Sequence, residues 1–129
     1  MEKGDSMRKV RYTEPRTISK RDHGSHDPAK YIAQTCEGYM LEIEPEPVIL
    51  RKDPRGTWTI VDPVTGWRVD SVRVGYKSRK EAAAHAREVS EKLHVFKTAK
   101  ASREHYEALA RVTETLAHEL ALIENARAE

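Results

Sequence analysis

Residues 48–93, VILRKDPRGTWTIVDPVTGWRVDSVRVGYKSRKEAAAHAREVSEKL, decide the fold. Two turn signals punctuate them. Asp53-Pro54-Arg55-Gly56 and Asp62-Pro63-Val64-Thr65-Gly66 each combine a proline that presets φ with a glycine that accepts a left-handed backbone. Around the turns stand three short runs of strand formers, 48–52, 57–61 and 67–74. Loops this short join antiparallel neighbours, so the runs predict a meander. Ser78-Arg79-Lys80-Glu81 is then a capping box. Ala82, Ala86, Val89, Leu93 and Phe96 follow it at spacings of four, three, four and three, the period of an amphipathic helix.

The alternation assigns faces. Trp58 and Ile60 point one way with Val48 and Leu50. A bulge near Asp70 and Ser71 brings Val72 and Val74 into phase with Trp67 and Val69. The small Ala82 and Ala86 set the helix close over Trp58 and Trp67. Ile49, Arg51, Thr57, Thr59, Val61, Arg68, Asp70 and Arg73 are then expected on an open face.

Outward from this unit, residues 39–44 alternate Tyr39, Leu41 and Ile43 with Met40, Glu42 and Glu44, and Pro45 and Pro47 end the run, as in an edge strand. Residues 1–30 are polar, carry Gly4, Pro15, Gly24 and Pro28, and predict a flexible basic arm. A C-terminal helix over 102–126 repeats Tyr106, Leu109, Thr113, Leu116, Leu120 and Ile123 at alternating three and four, a short heptad seam. No Gly or Pro occurs between 76 and 129, so 97–102 is the sole candidate break between the helices. The seam has three outlets: folding back on the sheet, pairing with a second copy, or docking on another protein. The expected class is α+β, with a small three- or four-stranded antiparallel sheet backed by a helix and followed by a long C-terminal helix. The expected divisions are an arm (1–30), a sheet-and-helix unit (31–96) and an amphipathic helix (97–129).

Charge is uneven along the 129 residues. Residues 48–80 hold 8 basic and 3 acidic side chains, 31–47 hold 4 acids and no Lys or Arg, and 81–129 hold 7 basic and 9 acidic. A positive field centred on the sheet steers anionic partners. The single Cys36 excludes an intramolecular disulfide and fits a reducing, cytoplasmic setting. No apolar run nears the ~20 residues that span a bilayer, and no signal peptide is expected.

Catalytic patterns are missing. His118-Glu119 lacks the second histidine of a zincin motif, and no histidine is spaced with Cys36 for structural zinc. Gly56 and Gly66 are isolated turn residues, so there is no phosphate loop, and there is no nucleophile elbow. Neither enzymatic activity, metal nor cofactor is expected.

The string Gly56-Thr57-Trp58, Asp62 to Gly66, and Gly75-Tyr76-Lys77-Ser78-Arg79-Lys80-Glu81-Ala82 resembles the arm-site DNA-binding domains at the N-terminus of phage-type tyrosine recombinases. The resemblance covers about a third of the chain. It implies a three-stranded sheet that enters the major groove with a helix behind it. Carried onto this sequence, it puts Arg51, Thr57, Thr59, Arg68 and Arg73 toward DNA, with Lys77 and Arg79 near phosphate. No recombinase catalytic domain follows, so recombination itself is not implied.

Two readings result. In the first, the protein is a non-catalytic accessory or regulatory protein, phage-encoded in origin, that binds duplex DNA through Arg51, Arg55, Thr57, Thr59, Arg68, Arg73, Lys77 and Arg79 and the basic arm. In the second, it is a protein-interaction module, and Tyr106, Leu109, Thr113, Leu116, Leu120 and Ile123 form a coiled coil with a partner or a second copy.

Overall fold

Val48, Ile49 and Leu50 are consecutive, and none is more than 1% exposed. A strand buried on both faces needs cover on both. The computed structural model, which describes residues 7–70 and 75–128, shows two different covers. Strands β1 (Met7–Thr17), β2 (Tyr31–Leu41), β3 (Val48–Lys52) and β4 (Trp58–Val61) form one antiparallel sheet in the order β1-β2-β3-β4. Helices α1 (Arg79–Thr98) and α2 (Arg103–Ala128) follow, and the chain is α+β.

Both helices lie on one face. Leu41 is opposite Val48, and Leu50 is opposite both Tyr39 and Ile60, so these side chains share that face. Ala82, Ala86, Val89 and Leu93 of α1 pack on Leu41, Val48, Leu50 and Ile60. Ser78 Oγ accepts from the Glu81 N–H at 3.1 Å, as the capping box predicts. The Glu81 carboxylate accepts at 2.7 Å from the N–H of Lys77 rather than that of Ser78. The helix ends where Ala99 turns to ψ 138°, and the Ser102 hydroxyl donates to the Phe96 carbonyl at 2.8 Å. α2 then folds back. Val112 and Leu116 pack with Tyr31, Ala33 and Trp67. Trp67 therefore lies beneath α2, not beneath α1. Tyr106, Leu109, Thr113 and Leu116 are buried within the chain, and the seam continues outward only through half-buried Leu120 and exposed Ile123.

The opposite face is covered by the sheet itself. Ile49, Val61 and Thr59, expected in the open, are buried. Arg51 on β3 reaches Glu14 on β1, two strands away, at 2.8 Å. Strands two apart are separated by about 10 Å, a gap these two long side chains span on one face; the turn after β4 meets β1, at the other end of the strand order, so the sheet curls inward. Gly66, at φ +72°, closes the curl: a side chain there would collide with the Thr13 carbonyl of β1. Gly38 of β2 is equally confined, since a Cβ would stand 2.9 Å from the Leu50 carbonyl oxygen.

Two expected elements differ. Residues 7–30 are not a flexible arm: β1 pairs with β2 from Met7↔Leu41 to Thr17↔Tyr31, and the Tyr31 hydroxyl donates to the Ser25 carbonyl at 2.8 Å. The inward positions of β1 include Tyr12 and Glu14, which hydrogen-bond each other, so no apolar alternation advertises the strand. Pro15 fits because β1 is an edge strand. Residues 1–6 lie outside the described residues. β2 is longer than expected at its start and ends at Leu41, although Ile43 still packs on the core. Of the run 67–74, the described residues 67–70 form no strand. Arg68 and Tyr76 make single bridges to Val61 and Trp58. Beside Val69, whose N–H donates to Ile60, the Asp70 carboxylate accepts the Ile60 N–H at 3.3 Å, taking the place of a backbone acceptor. Val72, Arg73, Val74 and the Ser71 side of the expected bulge lie outside the described residues.

Gly56 also has positive φ, but nothing stands within 4 Å of a Cβ there. Gly56→Ala should cost about 1 to 2 kcal/mol, the left-handed backbone penalty alone. Gly66→Ala should add about 1 to 3 kcal/mol for the collision with β1. Urea unfolding midpoints of the two variants measure the difference; equal midpoints would mean β1 does not close on this turn.

Candidate nucleic-acid interface

The residues expected to meet DNA do not stand together. Arg51 and Thr59 are inside the curl, and Glu14 holds the Arg51 guanidinium. Tyr12 donates to Glu14 at 2.6 Å, and Arg16 lies 3.4 Å from it. Burial works against the Arg51 charge, but Glu14 and the Tyr12 hydroxyl outweigh it and raise its pKa above the usual guanidinium value. Burial, with the Glu14 bond and charge, raises the Tyr12 phenol far above its ordinary range. Burial likewise pushes the Cys36 thiol up, which leaves it a poor nucleophile. The Thr57 hydroxyl donates to Asp53 at 2.9 Å; that bond, with two backbone N–H donors, holds the Asp53 carboxyl below its usual value. Arg68 gives its Nε–H to Asp70. Arg73 is outside the described residues.

Arg55 and Lys77 are exposed, and half-buried Arg79 borders a cleft on the helix-side face. α1 begins at Arg79, and beyond that end a shallow cleft of about 360 Å³ opens on the sheet. Lys9, Tyr39, Lys52, Trp58 and Arg79 line it. The Arg79 guanidinium sits 4.3 Å from the Tyr39 ring centroid, and the Tyr39 and Trp58 rings are 6.2 Å apart. Arg55 projects from the β3–β4 turn, Lys77 follows the residue bridged to Trp58, and Lys80 is next to Arg79.

The local acids are engaged. Glu37 pairs with Lys9 at 3.4 Å, Asp53 is tied into its turn, and Glu81 caps the chain before α1. Lys9, Lys52 and Arg79 thus line the cleft with two aromatic rings, Lys9 shared with Glu37, while Arg55, Lys77 and Lys80 lie close to them in sequence. Sequence reasoning missed Lys9, Lys52, Lys80, Tyr39 and Trp58. Trp58 reads as core by its alternation with Ile60, and Lys9 was hidden in the expected arm; Lys52, paired with Trp58 in the register, was the available signal.

A second feature is the end of α2. Past Leu116 the helix leaves the sheet, and Leu122 and Ile123 are 56% and 50% exposed.

Set against known proteins, the chain matches no family model, no curated protein and no solved structure.

Arg51→Ala should act on stability, not on an interface. It strands Glu14 in the curl, and breaking a buried pair costs about 3 to 5 kcal/mol. Arg51→Met with Glu14→Gln should recover part of that loss. Thermal unfolding reads both; an unshifted Tm for Arg51→Ala would remove the curl as the reason Arg51 is buried.

A different ion pair supplies a pH signature. Glu46 accepts from His94 and Lys97 at 2.8 and 2.9 Å, and its backbone bonds Ser90 of α1. The His94 bond, ahead of Lys97, holds its carboxyl below the usual value despite burial. A depressed folded pKa adds stability that is complete above the unfolded glutamate value and is lost as pH falls through the folded one. Glu46→Gln should therefore destabilise at pH 7 and approach the parent below about pH 4, read by denaturant unfolding at both pH values.

Proposed function

We propose that the protein is a non-catalytic DNA-binding accessory or regulatory protein, and that it meets the duplex with the bare end of the sheet rather than with the curled face. The observation that carries this reading is the gathering of Lys9, Lys52 and Arg79 around Tyr39 and Trp58, with exposed Arg55, Lys77 and Lys80 close to them in sequence and Asp53 and Glu81 held by their own turn and cap. Cations so placed neutralise backbone phosphates and release counterions. Their spread over two strands, a turn and a helix start suits positioning on a backbone more than reading base edges. The resemblance to arm-site domains supports DNA as the target class.

Binding to random duplex DNA should weaken linearly on a log–log salt plot. Lys52→Ala with Lys77→Ala and Lys80→Ala should lower the slope by about one for each phosphate that is no longer neutralised. Lys100→Ala with Arg103→Ala and Arg111→Ala, on the α2 side, should leave it unchanged. Fluorescence anisotropy between low and physiological salt measures this; equal slopes for the two triple variants would reject the interface.

One observation favours the second reading, a protein-interaction module. The projecting end of α2 carries Leu122 and Ile123 in the open, with Leu120 beside them. If a second copy covers that end, Leu122→Glu with Ile123→Glu should convert a dimer to a monomer in light scattering and remove the concentration dependence of Tm.

A further inference from the structure

A cavity of about 620 Å³ lies between the turn after β4, the loop at His23 and the junction of the two helices. Its walls are Trp67, Val69, Leu93, Phe96, Tyr106 and Leu109. The size falls within the range of about 300 to 1,000 Å³ that holds small organic ligands, and three aromatic rings in the lining favour a flat one. Phe96 and Tyr106 stand edge to face at 5.9 Å, and His23 tilts over Trp67 at 5.0 Å. The rings therefore hold one another in place before anything binds.

The charges in the lining have one sign where a ligand can reach them. The acid that lines the cavity, Asp62, is 2% exposed. Its carboxylate already accepts from the Val64 and Thr65 N–H groups, the Thr65 hydroxyl and the Tyr106 hydroxyl at 2.8 to 3.3 Å. The basic residues are nearer the surface. Lys92 is exposed and forms no ion pair among the described residues. Arg68 gives only its Nε–H to Asp70, and its terminal nitrogens have no hydrogen-bond partner among the described residues. The wall is thus apolar and aromatic, the acid is sealed beneath its own hydrogen bonds, and cationic donors stand at the mouth.

We propose that this cavity binds a small planar aromatic molecule carrying one anionic group, with the ring among Trp67, Phe96 and Tyr106 and the anion at Lys92 and Arg68. The site is separate from the basic patch on the sheet and does not depend on DNA binding.

Naphthalene-2-carboxylate is the probe, and 2-(aminomethyl)naphthalene is its cationic counterpart of similar shape. Two-dimensional amide NMR on the ¹⁵N-labelled full chain should show saturable shifts for the carboxylate, confined to residues 23–24, 62–69, 92–96 and 105–109. The amine should bind at least about tenfold more weakly, the loss of one charge-assisted hydrogen bond. Lys92→Glu should weaken the carboxylate by a similar factor, and Phe96→Ala should weaken both probes. Both positions are exposed, and the same spectra confirm that each variant is folded. No saturable shift at those residues, shifts scattered over the surface, equal binding of the amine, or undiminished carboxylate binding by Lys92→Glu would each overturn the proposal.

Discussion

Burial of β3 on both faces is the constraint from which the architecture follows. An apolar Val48-Ile49-Leu50 run cannot leave one side to water without exposing a large side chain. With four strands and two helices, there is enough helix for one face only. The second face is closed by bending the sheet until the turn after β4 touches β1, and this is possible because glycines stand at the closest approaches, Gly38 and Gly66. The Glu14–Arg51 pair then sits where the curl draws β1 and β3 together. Its contribution is geometric as much as energetic, because a buried pair tolerates few alternative registers while adding little net stability.

The same constraint sets where binding surface is available. Curling removes the face that alternation would offer to a partner, together with Arg51 and Thr59. On the other face the helices spread to different ends of the sheet, α1 over β3 and β4 and α2 over β1 and β2, and their spacing leaves Lys9 and Lys52 exposed and Tyr39 and Trp58 half-buried. The cavity by Trp67 arises where the helices meet: the break after Thr98 turns the chain, and the aromatic side chains of Phe96 and Tyr106 flank it.

Local signals in the sequence were read well where they are self-contained. The Ser78 cap, the 82–93 stripe, the 97–102 break and both Pro-Gly turns each depend on residues a few positions apart, and each is present in the fold. The strand at 48–52 was equally legible. What was not legible depends on distant partners. β1 carries a strand pattern only if Glu14 counts as an inward residue, and that requires Arg51, thirty-seven positions away. The end of strand pairing beyond Val69 among the described residues turns on one carboxylate, Asp70, substituting for the backbone against Ile60. The assignment of Ile49 and Val61 to an open face rested on counting alternation in a flat sheet, and curvature is not encoded in alternation.

The packing of Tyr31 against Val112 and Leu116 joins the start of β2 to the middle of α2. Synthesis proceeds from the N-terminus, so β1 and β2 emerge long before the helix that covers them. The first hairpin must wait, with Tyr31 and Ala33 uncovered, until residues 112–116 have left the ribosome. Contacts between such separated segments also slow folding, because the chain must lose loop entropy before it gains them. Covering of the first hairpin is thereby separated in time from its synthesis, and the middle turns of α2 set when it happens.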